Sequence, residues 1–251
     1  MSLVRVEGVT KEYLLGEQVV VALDDITLAI EEGVFMAIAG PSGSGKTTLL
    51  NIIGCIDLPT HGKVFIDGRE VTGRSADDLA DLRARTIGFI FQTFNLFPVL
   101  TAAENVEYPL LQLPEVGKEE RRERVKRLLS VVGLERQARH MPNQLSGGQR
   151  QRVAIARALA INPRIVLADE PTANLDSRTG SDILALMKQI NRQYGTTFIF
   201  STHDRRVMAM ADRLVRIEDG RVSMLAVRMD DQWKSVRTRT DAKANTGREA
   251  A

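Results

Sequence analysis

Cysteine is nearly absent from this sequence of 251 residues, which contains only Cys55. No disulfide can therefore form within the chain, and a single thiol is typical of proteins from reducing compartments. Long apolar runs are missing too: Val34–Ala39 and Ile165–Ala168 are far shorter than the roughly 20 residues that span a bilayer. The first residues show no basic stretch followed by an apolar one, so no secretory signal is predicted. We expect a cytoplasmic protein that acts at a membrane only through a partner.

Neither sign of charge is in excess. Lys and Arg together number 34 and Asp and Glu 32, which gives a formal net charge of +2. Proteins that bind nucleic acid usually carry clustered positive charge, so this balance gives no electrostatic reason to expect a nucleic-acid partner. The apolar share of 43% and the charged share of 26% are both ordinary. They are typical of a globular domain that buries a normal core.

Strand and helix patterns alternate along the chain as they do in α/β proteins. Val-rich and Ile-rich segments surround a turn at Leu15–Gln18, and helix-forming residues from Lys46 to Ile56 follow the buried strand Val34–Ala39. A hairpin with Asp219-Gly220 as its turn is predicted near the end of the pattern. The later strands are predicted at Arg164–Ala168, Thr196–Ser201, Leu214–Ile217 and Arg221–Leu225.

The middle of the chain is helical in character. Charges and leucines recur at helical spacing in Ala76–Arg85 and Lys118–Val132, and Gly133 is placed to end the second helix. Residues 73–162 are therefore predicted to form a mostly helical insertion between two halves of the α/β core. From about Arg228 the sequence is polar and aperiodic. This favours a flexible tail over residues 228–251 behind a domain of residues 1–227.

A glycine-rich segment between the buried strand and the helix at Lys46 fits the P-loop pattern Gly-x4-Gly-Lys-Ser/Thr. Glycines let successive backbone N–H groups face phosphate oxygens, and the following helix adds the positive end of its dipole. Lys46 would reach the β- and γ-phosphates, and the Thr47 hydroxyl would help to bind Mg²⁺. A glycine-rich turn without a ligand is the plainer alternative. The predicted nucleoside triphosphate site comprises Gly40, Pro41, Ser42, Gly43, Ser44, Gly45, Lys46, Thr47 and Thr48.

Two acids, Asp169 and Glu170, end the later apolar strand. If that strand lies parallel to the P-loop strand and beside it, Asp169 reaches the magnesium shell. Glu170 would then orient and deprotonate the attacking water. Two acids often end a strand without any function, but a P-loop upstream in the same chain favours the catalytic interpretation.

The segment Leu145-Ser-Gly-Gly-Gln149 precedes an apolar-periodic helix predicted to extend to Ile161. A hydroxyl, bare backbone N–H groups and a helix N-terminus together suit an anion. One chain would thus carry two phosphate-binding surfaces. The second surface is predicted at Ser146, Gly147, Gly148 and Gln149.

With the P-loop, this signature segment and the Asp169–Glu170 pair in that order, the sequence resembles the ABC ATPase family from Val4 to about Leu225. The resemblance implies an α/β fold: a P-loop NTPase core with a mixed sheet flanked by helices and an antiparallel β subdomain, plus a helical insertion subdomain. It also implies ATP hydrolysis with ATP and Mg²⁺ bound. In the family two subunits pair head to tail, and the signature of one covers the P-loop of the other. The single set of motifs here implies half of such a dimer, and favours a homodimer.

Further residues match family positions. Gln92 looks like the residue that senses Mg²⁺ and the γ-phosphate and connects to the membrane partner, and His203 looks like the histidine that contacts the γ-phosphate. Without the resemblance, both would be ordinary exposed polar residues. Tyr13 looks like the aromatic that stacks on adenine, although a strand tyrosine packed on the sheet is the alternative. Ala173–Asp176 occupies the segment that crosses the dimer interface.

Several stretches are similar to the macrolide-export and lipoprotein-release branch of that family, among them Asn51–Asp57, Gly88–Pro98, Glu104–Leu110 and Ala168–Asp176. Proteins of that branch work with a permease that carries a large extracytoplasmic domain. The resemblance therefore implies a separate integral membrane permease as partner, and export or extraction of a substrate. We expect the chain to be peripheral on the cytoplasmic face of the cell (inner) membrane.

Two alternatives remain beside a transport ATPase. The cell-division ATPase of the same branch is also similar, so the chain could instead be a scaffold whose nucleotide controls partner binding. An ATPase linked to DNA or ribosomes is disfavoured, because such family members have a long coiled-coil insertion or two ATPase domains in one chain. Here Lys46 and Ser146 are only 100 residues apart, which leaves no room for such an insertion. Val34 and Ala173 depart from the Glu and Gly that the family and its branch usually have there, but neither position holds the nucleotide.

Overall fold

Two β-sheets and seven α-helices make up the part of the chain that the computed structural model describes, residues 2–230 and 232–236. The strands are β1 (Ser2–Leu15), β2 (Gln18–Glu31), β3 (Phe35–Ala39), β4 (His61–Ile66), β5 (Arg69–Glu70), β6 (Ile87–Ile90), β7 (Ile165–Asp169), β8 (Thr197–Thr202), β9 (Arg213–Glu218), β10 (Arg221–Met229) and β11 (Gln232–Val236). The helices are α1 (Lys46–Ile53), α2 (Ala76–Thr86), α3 (Ala102–Glu107), α4 (Lys118–Val131), α5 (Gly147–Leu159), α6 (Ser177–Tyr194) and α7 (Arg205–Met210). Short 3-10 segments lie at Tyr108–Gln112, Glu135–Gln137 and Pro142–Gln144.

The larger sheet has seven strands in the order β11-β10-β9-β3-β8-β7-β6. Strands β9, β3, β8, β7 and β6 run parallel, and β10 and β11 continue the sheet antiparallel at one edge. The smaller sheet is antiparallel, in the order β2-β1-β4-β5. The predicted fold, a mixed sheet with helices and an antiparallel β subdomain, is therefore confirmed.

The seven-stranded sheet separates two hydrophobic cores, because successive side chains of a strand point to opposite faces. Phe35 and Ala37 of β3 belong to the core that includes residues of α3 to α7. Met36 and Ile38 belong to the core formed with α1, α2 and the smaller sheet. All four side chains are almost completely buried. A strand buried on both faces needs a continuous apolar run, which is the pattern seen in the sequence.

Most predicted boundaries agree with the structure to within two residues, and three predictions differ by more. The helix at Lys46 ends at Ile53 rather than Ile56, because Gly54 caps it and Cys55 takes a left-handed φ of 54°. The helical insertion predicted over residues 73–162 contains β6, which pairs with β7 in the larger sheet. Four residues are too few to show the apolar run of a strand clearly. Helices α3, α4 and α5 lie within the same range, and their assignment to a separate subdomain stays a prediction.

The third difference concerns the predicted tail. Strand β10 continues to Met229, and β11 pairs with it in antiparallel register, with Trp233 opposite Arg228. Every side chain of β11 is exposed, so the strand has no apolar alternation by which it could be recognised in the sequence. The sheet thus extends past the predicted boundary at residue 228. Residue 231 and residues 237–251 of the predicted tail lie outside the described residues.

Candidate functional site

The carboxyl ends of four parallel strands bring the predicted site residues together. Strands β3, β8, β7 and β6 are parallel neighbours, so their carboxyl ends lie at one edge of the larger sheet. The P-loop follows β3, Asp169 and Glu170 lie at the end of β7, His203 follows β8, and Gln92 follows β6. Segments that are far apart in the chain therefore meet along a single edge.

The P-loop, residues 40–45, connects β3 to α1 through backbone conformations that favour glycine. Gly43 and Gly45 have φ values of 77° and 101°. Lys46 is 8% exposed, and its Nζ donates to the carbonyl oxygens of Gly40 (3.0 Å) and Pro41 (2.7 Å). The positive charge is thus held over the loop itself, beside the N-terminus of α1. Such a loop is suited to the phosphates of a nucleotide.

The turn between β9 and β10 is hydrogen-bonded to the P-loop. The predicted turn residues Asp219 and Gly220 have φ values of 47° and 73°. The N–H of Gly220 donates to the carbonyl oxygen of Ser44 (3.1 Å), and its own carbonyl accepts from the N–H of Asp24 in β2 (2.9 Å). The loop is therefore fixed to both sheets.

Thr47 and Asp169 are adjacent, as a magnesium site requires. The Thr47 hydroxyl lies 3.2 Å and 3.4 Å from the two carboxylate oxygens of Asp169. The condition that the strand of Asp169 lies beside the P-loop strand is not met, because β8 separates β7 from β3. The contact forms because α1 packs against both β8 and β7. Hydroxyl and carboxylate oxygens are the ligands that Mg²⁺ prefers, so these side chains fit that ion.

Glu170 and His203 form a second pair at this edge. Oε1 of Glu170 lies 2.7 Å from Nδ1 of His203, with the carboxylate side chain 16% exposed and the imidazole 75% exposed. Glu170 has a left-handed φ of 46°, which turns the chain immediately after β7. The pair offers a carboxylate that can accept a proton and an accessible ring beside it.

Gln92 is exposed, and its loop is held from two directions. Nδ2 of Asn174 donates to the backbone carbonyl oxygen of Gln92 (2.8 Å). The guanidinium of Arg157 on α5 donates to the carbonyl oxygens of Phe94 (2.8 Å) and Asn95 (2.5 Å), both of which have positive φ values. The loop that carries Gln92 is thus tied to the helix that follows the signature segment.

Tyr13 lies in β1 beside Thr48 of α1, with 37% of its surface exposed. Its phenol donates to Oδ2 of Asp57 (2.7 Å), whose other oxygen accepts from Nζ of Lys11 (2.6 Å). Burial, followed by the bond to Asp57, raises the pKa of Tyr13. Burial alone would raise the pKa of Asp57, but hydrogen bonds from Lys11 and Tyr13 lower it. The Tyr13 phenol is therefore held by a carboxylate, and its stacking on adenine stays a prediction.

The signature segment forms a capped helix start. The N–H of Gln149 donates to Oγ of Ser146 (3.3 Å), and the N–H of Ser146 donates to Oε1 of Gln149 (2.9 Å). Gly148 packs so closely on α6 that an added Cβ would lie 2.5 Å from Cγ2 of Thr179. Ser146 is exposed and Gly147 partly so. The start of α5 is thus capped and accessible, and its binding of an anion stays a prediction.

Some residues that shape the site were missed in the sequence. Gln151 donates from Nε2 to the carbonyl oxygen of Pro171, next to Glu170 (2.8 Å). It occupies the apolar stripe of α5, three and four residues before the buried Ala154 and Ile155. A polar residue at such a position was the available signal. Arg157 and Asp57 gave no such signal in the sequence, because charged residues outside apolar patterns are common.

Known proteins resemble this chain over most of its length. Residues 23–173 match the family described as ABC transporter. The chain is 51% identical over 223 residues to the ABC transporter ATP-binding protein MJ0796 of Methanocaldococcus jannaschii, covering 88% of this chain and 95% of that protein. It is 49% identical over 220 residues to the macrolide export ATP-binding/permease protein MacB of Brucella melitensis, but spans only 34% of that protein's length while 88% of this chain is covered.

Solved structures agree with the fold. The dimeric structure of a post-hydrolysis state of the ATP-binding cassette MJ0796, bound to ADP and Pi, matches with a TM-score of 0.82 and 48% sequence identity. That match covers 94% of this chain and 99% of the other. Among residues 2–230 and 232–236, no helix is both long and apolar enough to cross a membrane.

Proposed function

This chain belongs to the ABC transporter family, and we propose that it binds and hydrolyses ATP to drive a separate membrane permease. The observation that carries the proposal is the meeting of the P-loop, Asp169, Glu170 and His203 at one sheet edge. A phosphate loop, oxygen ligands for Mg²⁺ and a proton acceptor are the parts that phosphoryl transfer to water needs.

Each residue has a distinct role in the proposed reaction. Lys46 and the backbone N–H groups of the P-loop would bind the phosphates, and Thr47, Asp169 and Gln92 would hold Mg²⁺. Mg²⁺ held there would neutralise charge on the phosphate oxygens. Glu170 accepts a proton from the attacking water, and His203 orients the Glu170 carboxylate through Nδ1 while its exposed ring stays accessible to the γ-phosphate of a bound ATP.

The active unit that we propose is a homodimer with two ATP molecules between the subunits. Ser146, Gly147, Gly148 and Gln149 of one subunit cover the phosphates bound by the P-loop of the other. Their exposure at the start of α5 supports this role. The dimeric structures of MJ0796 support it as well, since that protein is about half identical to this one.

We assign the chain to export or extraction at the cytoplasmic face of the inner membrane. Its similarity to macrolide export proteins supports this direction, although the chain spans only about a third of their length. Relatives that it covers almost completely, such as MJ0796, support a permease on a separate polypeptide.

Removal of the Tyr13 ring is expected to weaken ATP binding about 5- to 150-fold, since stacking of a base on an aromatic ring contributes about 1–3 kcal/mol. Tyr13→Ala should show this loss in a Mg-ATP titration, whereas Tyr13→Phe keeps the ring and should bind nearly as the wild type does. Inorganic tripolyphosphate, which has no base, should bind both variants equally. Unchanged ATP affinity in Tyr13→Ala would favour a tyrosine that only packs on the sheet.

The proposal of a separate permease is tested by capturing the partners of this protein from native membranes. Tagged Glu170→Gln protein is solubilised with its partners in mild detergent and ATP, and the proteins that accompany it are identified. Recovery of a permease with a large extracytoplasmic domain is expected. Recovery of cell-division proteins would support the scaffold alternative, and recovery without any membrane protein would contradict the proposal.

A further inference from the structure

Glu170 has a backbone conformation that its sequence disfavours. Its φ of 46° lies in the left-handed region, which is disfavoured for a residue with a Cβ. The next residue is Pro171, whose ring restricts the residue before it towards extended conformations. Such a turn persists only when surrounding contacts fix it. Two backbone bonds contribute: the N–H of Glu170 donates to Ser201 (2.9 Å), and its carbonyl accepts from Ala173 (3.1 Å).

The third contact comes from α5. Gln151 is completely buried, and its Nε2 donates to the carbonyl oxygen of Pro171 (2.8 Å). Its Oε1 has no hydrogen-bond partner within the described part of the chain. Burial of a polar side chain destabilises a fold unless that side chain is hydrogen-bonded, and the neighbouring buried residues of α5 are apolar. The bond to Pro171 is therefore what a glutamine adds at this otherwise apolar position.

The same helix begins with the signature segment. Gln151 follows Ser146 by five residues, which corresponds to about 7.5 Å along a helix axis. One short rigid element thus carries the surface assigned to the partner's nucleotide and the amide that holds the chain beside Glu170.

We propose that Gln151 is a positioning residue for Glu170. Its hydrogen bond to the Pro171 carbonyl fixes the turn at Glu170 and so sets where the Glu170 carboxylate points. Because Gln151 belongs to α5, a movement of α5 changes the orientation of that carboxylate. A signature segment seated on the nucleotide of the partner subunit thereby aligns the glutamate of its own chain. The inference rests on the proposed function, because it takes Glu170 as the proton acceptor.

Gln151→Met tests this role, because methionine keeps the length and approximate volume of the side chain but has no N–H donor. We expect kcat for ATP hydrolysis to fall about tenfold or more, as misplacement of a reacting group by about 1 Å can do. KM for ATP should stay near the wild-type value because the P-loop is untouched. The melting temperature should fall slightly, since the variant removes Oε1 but leaves the carbonyl oxygen of Pro171 without its donor. The control Arg152→Met removes another bond from α5 to a carbonyl, that of Val132 (2.9 Å), and should hydrolyse ATP at the wild-type rate.

A double-mutant cycle with Glu170→Gln separates positioning from general damage. Single-turnover hydrolysis should be no slower in Glu170→Gln/Gln151→Met than in Glu170→Gln alone. An equal loss in both backgrounds, or an unchanged kcat in Gln151→Met, would overturn the positioning role and leave the proposed function standing. A wild-type rate in Glu170→Gln would instead overturn the proposed function, and this inference with it.

Discussion

Replacement of Glu170 by glutamine is expected to slow ATP hydrolysis about 10²- to 10⁴-fold, the usual contribution of a general base. Glutamine has the same shape and can still hydrogen-bond to Nδ1 of His203, but it cannot take a proton from water. The site is therefore expected to keep its geometry and lose only its chemistry. Phosphate release at saturating Mg-ATP measures the effect.

The same variant should accumulate as a dimer when ATP is present, since the step that separates the subunits is blocked. Light scattering with ATP and with ADP should show a larger mass only with ATP. Glu119→Gln is a suitable control, because that side chain on α4 is 83% exposed and its ion pair is with Arg122 of the same helix. A Glu170→Gln protein with the wild-type rate would show that another group accepts the proton.

Lys46→Met is expected to weaken ATP binding about 10- to 150-fold, since a hydrogen bond to a charged group contributes about 1.5–3 kcal/mol. Lys46 is 8% exposed and its ammonium is held over the loop by two carbonyl oxygens, so little rearrangement is needed for it to meet phosphate. Titration with Mg-ATP by calorimetry measures the loss. The fold should survive, because methionine fills the same space without a buried charge.

Lys188→Met provides the matched control. Lys188 is also largely buried, but its ammonium pairs with Asp212 (2.7 Å), which lies between α7 and β9. This variant should lose some thermal stability and bind ATP like the wild type. Equal ATP affinity in Lys46→Met and the wild type would contradict the assignment of the P-loop.

The residues of the candidate site were largely predictable because phosphate chemistry restricts which side chains can serve and in what order. The P-loop needs glycines before Lys46, and Asp169 needs a buried strand before it. Contacts between distant segments were not predictable in this way. Nothing in the sequence shows that β8 lies between β3 and β7. The bond from Gln151 to Pro171 likewise depends on how α5 packs.

Strand β11 shows a different limit. Its five residues are all exposed, so it is held by backbone pairing with β10 and has no pattern of buried side chains. Periodicity in the sequence reports which side chains are buried, and a strand without buried side chains gives no such signal. The short strand β6 was missed for a related reason, since four residues in a charged neighbourhood resemble part of a helical segment.

The division of the interior by the larger sheet has a consequence for how this protein can change over evolutionary time. Alternate side chains of β3 enter different cores. A substitution at Ala37 therefore alters packing in the core that includes α3 to α7, while one at Met36 alters packing in the core that includes α1. Substitutions that share no neighbours affect stability almost additively. The core that includes α3 to α7 can therefore change its side chains while the packing that supports the phosphate loop is inherited unchanged.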